Sequence, residues 1–240
     1  MSSSLYLSTE EARKFYDRMG RRQDWQRIYE GEAIAELLKH GDFDSAKTVF
    51  ELGCGTGALA EKLLNEYLPA DAKYVGIDIS PVMVNLSKIR LAPFGDRAKV
   101  YHSDGHFNFD PYISSCDRFV SVYVLDLLPP DNIEDVLTQA SGKLASNGKL
   151  CLISLTEGCT PSSKLIVSMW KKLRNINPKL VGGCRPIRLS QFLATSEWQI
   201  EFDKTLSVIG VPSEVVVASK LNDQNSKVLY AKGCAVMLIA

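Results

Sequence analysis

The chain has 240 residues, 45% of them apolar or aromatic, and its 28 basic and 28 acidic side chains leave a formal net charge of zero. That size suits one large α/β domain around a single sizeable core, and the balanced charge withholds the broad positive field that non-specific nucleic-acid binding needs. Residues 1–6 show no charged lead before an apolar core, no stretch approaches the ~20 apolar residues that span a bilayer, and the six cysteines form no C-x-x-C pair, so the expectation is a cytoplasmic protein with reduced thiols, no signal peptide and no metal site.

Residues 8–40 carry helical spacing, as one or two helices with Gly31 as the break. From residue 48 to 156 short apolar runs alternate with amphipathic segments, which predicts βα units around a parallel sheet. Residues 48–52 read as the first strand, 58–67 as a helix ending before Pro69, and 74–78 as the second strand. Ser80 then caps a helix that opens at Pro81. Residues 100–103 and 119–124 read as the third and fourth strands. Residues 132–144 form a helix with Ile133, Val136, Leu137, Ala140 and Leu144 in phase. An Asn147-Gly148 turn introduces the fifth strand over 149–154.

After residue 157 the rhythm changes. Helices are predicted over 163–174 and 189–196, then strands over 198–208 and 214–220 about Gly210-Val211-Pro212. That connection is too short for a crossover, so the two strands are expected to be antiparallel. Residues 222–240 hold further apolar runs at 228–230 and 235–239, which suit one added strand.

The sharpest local signal is Glu51-Leu52-Gly53-Cys54-Gly55-Thr56-Gly57, leaving a strand and opening a helix. Glycines at alternate positions let backbone turn tightly and approach a ligand closely, and exposed N–H groups at a helix start favour electron-rich atoms. Asp78 ends the next strand, where a carboxylate accepts both ribose hydroxyls of an adenosine. The spacing Gly53-x-Gly55-x-x-Ala58 also satisfies the dinucleotide pattern, so the glycines alone leave an NAD(P)-dependent oxidoreductase open. Glu51 weighs against that reading, because a carboxylate at the strand end receives an ammonium group and repels a pyrophosphate. Asp104, just after the third strand, suits the exocyclic amine of adenine, or else serves as a plain turn residue.

With these pieces in place the sequence resembles the class I S-adenosylmethionine-dependent methyltransferases, and within them the ubiquinone/menaquinone-biosynthesis and phosphatidylethanolamine methyltransferase type. The matching stretches are V-F-E-L-G-C-G-T-G (49–57), Y-V-G-I-D-I-S-P-V-M-V (74–84), Ser103-Asp104-Gly105, F-D-P-Y (109–112), D-R-F-V-S-V-Y-V-L-D-L-L (117–128) and G-K-L-x-x-N-G-K-L (142–150). The resemblance implies a Rossmann-like, seven-stranded, mostly parallel sheet with helices on both faces and an antiparallel final hairpin. It implies one domain over 1–240, with a helical lid segment (1–40), a cofactor-binding core (48–157) and closing strands on the substrate side (158–240).

It further implies that Glu51, Gly53, Cys54, Gly55 and Gly57 surround the methionyl end of S-adenosylmethionine. Asp78 would bind the ribose, Ile79 would pack on the adenine, and Ser103, Asp104 and Gly105 would read the adenine edge. Ser121 and Tyr123 would face the methionyl portion and the methyl, and Tyr16, Trp25 and Tyr29 are lid candidates. The implied reaction is in-line transfer of a methyl group to an N, O, S or C atom of a small molecule, yielding S-adenosylhomocysteine. No base is identified; Tyr123, Asp126 and His106 are the candidates. Trp170 and Trp198 read as core residues, with pocket lining as the alternative. The neutral charge favours a small molecule over a protein or nucleic-acid substrate, and Leu125-Asp126-Leu127-Leu128 stands where amide and base N-methyltransferases often carry N-P-P-Y, which further disfavours nucleic acid. A non-catalytic scaffold retaining the fold is the remaining alternative.

Overall fold

The computed structural model describes residues 6–20, 23, 27–193 and 197–221. Its helices are α1 (Thr9–Met19), α2 (Arg27–His40), α3 (Ala58–Lys62), α4 (Pro81–Leu91), α5 (Pro130–Lys143), α6 (Pro161–Ile176) and α7 (Leu189–Leu193). Its strands are β1 (Thr48–Leu52), β2 (Lys73–Asp78), β3 (Ala98–His102), β4 (Cys116–Val122), β5 (Leu144–Leu155), β6 (Trp198–Val208) and β7 (Val211–Lys220). They form one seven-stranded sheet in the order β3-β2-β1-β4-β5-β7-β6. The first five strands pair in parallel, and β7 runs antiparallel to both β5 and β6. The direction of winding reverses between β1 and β4, which opens a crevice at the carboxyl ends of these strands, where open α/β sheets take their ligands.

Alternation along the strands builds two apolar layers, one on each face. Phe50, Phe119, Leu150 and Val216 pack with Ile133, Val136 and Leu137 of α5 and Leu189 and Leu193 of α7. On the other face, Val49, Val120, Ile153 and Val217 pack with Leu37 of α2, Leu63 and Val84. Burying each large side chain contributes roughly 1.5–3 kcal/mol. Trp198 belongs to the first layer.

Several boundaries differ from the sequence reading. Gly31 lies inside α2, and the N-terminal helices part instead at Gly20, whose φ is 49°. A mid-helix glycine costs only about 1 kcal/mol, less than the burial of Ala33, Leu37 and Leu38 returns. Asn147-Gly148 is not a turn: Leu144 pairs with Cys116 and Lys149 with Arg118, so β5 runs through it with an irregular register. The helix after β1 widens from α3 into a π turn over Leu63–Tyr67 before Pro69. The hairpin turn is the two residues Ile209 and Gly210, both at positive φ, so β7 starts at Val211. The added strand expected within 222–240 lies outside the described residues. None of the described helices is long and apolar enough to cross a membrane.

Two buried charged side chains fasten the loops. Arg118, 2% exposed, donates to the carbonyl oxygens of Gly41 (2.6 Å) and Asp117 (2.8 Å) and to Ser45 Oγ (2.8 Å). Glu214 of β7 accepts from the backbone N–H groups of Leu189 (2.6 Å) and Ser190 (3.3 Å), which caps α7.

Candidate active site

Beyond β1 the chain folds back across the end of β2, where Gly53 N–H and Cys54 N–H both donate to Ile77 O (2.8 and 3.0 Å). Gly53 has φ 76°, and a Cβ there would collide with Val124; Gly57 has φ 75°, and a Cβ there would strike Ser87 Oγ. Any larger residue at these two positions would strain the backbone and push against the wall behind it.

Asp78 fixes this loop to β2. Its Oδ2 accepts from Gly55 N–H (2.9 Å) and its Oδ1 from Ser80 N–H (2.8 Å). Each oxygen keeps a second lone pair, a set that matches the paired hydroxyls of a ribose. Burial pushes this carboxyl up to about 6 while the two N–H donors hold it down. Glu51, 3% exposed, is pushed up to about 7 by burial. Tyr74 OH donates to its Oε2 (2.5 Å) and opposes the shift; the nearby Asp78 charge adds to it. Neither acid forms an ion pair with a basic side chain among the described residues. Two desolvated acids beside a bare backbone turn suit a ligand that carries a diol and a cationic end.

These groups form one end of a cavity of about 670 Å³. Ile79, Ser103 and Gly105 continue its wall, with Ser103 N–H bonded to Asp78 O (2.9 Å) and Gly105 N–H to Ser103 Oγ (3.2 Å). The other end is mostly apolar and is lined by Phe15, Leu155, Trp170, Val181 and Val211. α1 closes one side through Thr9, Phe15, Tyr16 and Met19 while burying none of its own residues. It is tied down by Ser80 Oγ donating to Asp17 Oδ1 (2.6 Å) and by Lys179 against Glu11 (2.9 Å).

Residues 49–148 match the family model described as a methyltransferase domain. Over that stretch the chain resembles a methyltransferase domain. No curated protein matches the chain in sequence. Among solved structures it is similar to the mitomycin 7-O-methyltransferase MmcR, at 20% identity and a TM-score of 0.66 over 89% of this chain and 59% of that one. It is similar to the magnesium protoporphyrin IX methyltransferase ChlM of Synechocystis PCC 6803, solved with S-adenosylhomocysteine, at 17% identity and a TM-score of 0.64 over 89% of this chain and 99% of that one. A third neighbour is NcsB1, an O-methyltransferase of neocarzinostatin biosynthesis solved with S-adenosylhomocysteine and 1,4-dihydroxy-2-naphthoic acid (18% identity, TM-score 0.62, 89% and 59% coverage). The chain thus spans the full ChlM length but only about three-fifths of MmcR and NcsB1. At these identities the likeness is one of fold.

Of the expected site residues, Glu51, Gly53, Cys54, Gly55, Asp78, Ile79, Ser103, Gly105 and Tyr123 all line the cavity, while Gly57 stands behind it against Ser87. Three expectations need correction. Ser121 pairs with Leu52 in register and shares the strand face of Phe119, toward α5. Period-two alternation therefore turns it away from the cavity that its neighbour Val122 lines. Asp104 is exposed and outside the main cavity lining, and its Oδ1 accepts from His106 N–H (2.9 Å). It acts as a turn residue, since a short carboxylate bonds its own backbone two residues on. Trp170, read as core, lines the cavity, with its indole N–H bonded to Cys184 O (3.0 Å).

Tyr123 follows β4 at φ 54°, with its OH and Ser213 Oγ 2.6 Å apart and its phenol raised by burial. Asp126 sits on the cavity wall in the single turn Leu125–Leu127. His106 is exposed on the rim beside Gly105. Tyr16 is on the α1 wall; Trp25 lies outside the described residues, as does the side chain of Tyr29 in α2. Gln23, Glu30 and residues 180–184 also line the cavity, beyond the residues expected from sequence. No spacing marks them, because they reach the site from separate loops and helices.

Proposed function

We propose that this chain transfers the methyl group of S-adenosylmethionine to a small-molecule acceptor and releases S-adenosylhomocysteine. The observation that carries this reading is one continuous cavity with a glycine turn and two desolvated carboxylates at one end and an apolar wall at the other. In this reading Glu51 and the backbone of residues 53–55 hold the aminoacyl end, Asp78 holds the ribose, and Ile79, Ser103 and Gly105 border the adenine. The bound donor supplies an electrophilic methyl on a sulfonium. Charge disappears as the methyl leaves, so the apolar walls from Phe15 to Val211 favour the transition state over the ground state by excluding water. Holding the acceptor atom in line behind the methyl is the remaining task, which is worth several kcal/mol.

We take residues 1–240 as one unit, with 1–40 as a lid that includes Tyr16, and we place the protein in the cytoplasm, since the described cysteines are all unpaired thiols. The test is calorimetric titration with S-adenosylhomocysteine and with NAD(H). The reading expects binding of the first alone; binding of NAD(H) alone would turn it to an oxidoreductase, and binding of neither to a scaffold. Incubation of a metabolite extract with methyl-labelled donor, read by mass spectrometry, then identifies the acceptor.

A further inference from the structure

The acceptor end of the cavity holds a carboxylate whose bonding capacity the fold leaves open. Asp126 is 1% exposed and lines the cavity, and neither of its carboxylate oxygens has a hydrogen-bond partner among the described residues. The turn that carries it is firmly held: Asp126 O accepts from Arg185 N–H (2.9 Å), and Leu128 O accepts from Arg185 Nη2 (2.7 Å). A buried carboxylate on a fixed turn is costly unless something meets it. Its polar neighbours on the wall are committed elsewhere, with the Tyr123 hydroxyl to Ser213 and the Trp170 indole to Cys184 O.

The groups that act on this region electrostatically are Arg185, Glu30, Tyr123 and Cys184. The Arg185 guanidinium is spent on Leu128 O and on the Tyr6 ring. Burial pushes the Asp126 carboxyl up to about 7. The N–H groups of Asp126 and Leu155 lie close and oppose this, yet neither meets hydrogen-bonding geometry. A carboxylate that ionises near neutral pH is matched to taking a proton from a weak acid.

We infer that Asp126 binds and deprotonates the acceptor, and that the acceptor is an apolar, ring-bodied molecule presenting a weakly acidic hydroxyl to the methyl group. This rests on the methyl-transfer reading. As the hydroxyl oxygen forms its bond to the methyl carbon, the carbon–sulfur bond breaks and its electron pair stays on sulfur as a neutral thioether. The hydroxyl proton passes to a carboxylate oxygen of Asp126, which returns it to solvent after the methyl ether leaves. A hydroxyl enters such a dry end uncharged, whereas an ammonium would have to be desolvated and then stripped of its proton before attack.

The test uses the full chain saturated with S-adenosylhomocysteine and three probes, 2-naphthol, 2-naphthylamine and naphthalene, titrated by calorimetry at pH 6 and pH 8. Wild type is expected to prefer 2-naphthol to naphthalene by about tenfold or more at pH 8, as for a hydrogen bond to a charged group, with a smaller preference at pH 6. Asp126→Asn, nearly isosteric, should cut that preference to about threefold or less at both pH values and leave S-adenosylhomocysteine affinity unchanged. With methyl-labelled donor, turnover of 2-naphthol should fall about a hundredfold or more in the variant. Equal affinity of wild type for naphthol and naphthalene, no binding of either, or a preference that survives in Asp126→Asn would overturn the proposal. A stronger preference for the naphthylamine would overturn the hydroxyl assignment. Failure to bind S-adenosylhomocysteine would instead refute the methyl-transfer reading, and the probe titrations would still report on Asp126.

Discussion

Replacing Glu51 by glutamine separates the burial of its charge from its proposed use. The carboxyl sits at about 7 against an ordinary 4.5. Between those values the native state keeps a proton that the unfolded chain has released, so stability falls as pH rises through the window. The stabilisation is fully present below about pH 4.5 and is lost above about pH 7, a difference of about 3 kcal/mol for this nearly inaccessible group. Glutamine keeps an acceptor for Tyr74 OH and cannot ionise. Glu51→Gln should therefore melt about 5–10 °C above wild type at pH 8 and close to it near pH 4.5, at roughly 2–4 °C per kcal/mol for a chain of this size.

Cofactor binding should move the opposite way. If only ionised Glu51 receives the ammonium group, apparent affinity scales with the ionised fraction, which rises about tenfold from pH 6 to pH 8. The variant should lose that gain and bind S-adenosylhomocysteine more weakly at pH 8 by about 1.5–3 kcal/mol. The ligand's own ionisation is common to both proteins and cancels in the comparison. Circular dichroism melts and calorimetric titrations across pH 5–8.5 provide both readouts. An unchanged pH slope of binding in the variant, or a melting difference independent of pH, would refute the reasoning.

Asp78→Ala should weaken S-adenosylhomocysteine binding by about 1.5–3 kcal/mol in calorimetry, and it should also lower the melting temperature by freeing the N–H groups of Gly55 and Ser80. Gly57→Ala should destabilise the fold by about 1–3 kcal/mol in urea titration, because a Cβ at φ 75° would drive into Ser87. Arg118→Ala leaves the carbonyls of Gly41 and Asp117 without their buried donor. It should cost about 3 kcal/mol in denaturant titration, with cofactor affinity per folded molecule unchanged.

Elements whose signals are local were legible. The turn at residues 53–57 needs glycine for its backbone angles, Ser80-Pro81 starts α4 as a capped helix, and the in-phase residues Ile133, Val136, Leu137 and Ala140 of α5 are all buried. Where two neighbours compete, pattern alone failed. Ser121 and Tyr123 share a strand end, and the pairing register with β1, together with the left-handed backbone at Tyr123, decides which wall each joins. Asn147-Gly148 has turn chemistry, but pairing with β4 keeps it in a strand.

The sequence by itself determined the βα order, the glycine turn and the acids that end β1 and β2, because each depends on backbone preferences and periodicity within a few residues. The tertiary structure decided what lines the rest of the cavity. Leu7, Gln23, Glu30, Trp170 and residues 180–184 are distant in sequence and meet only once α1, α2 and α6 pack about the open end of the sheet. The same packing takes Asp126 out of water while leaving its oxygens without a partner among the described residues, and no reading of neighbours along the chain contains that.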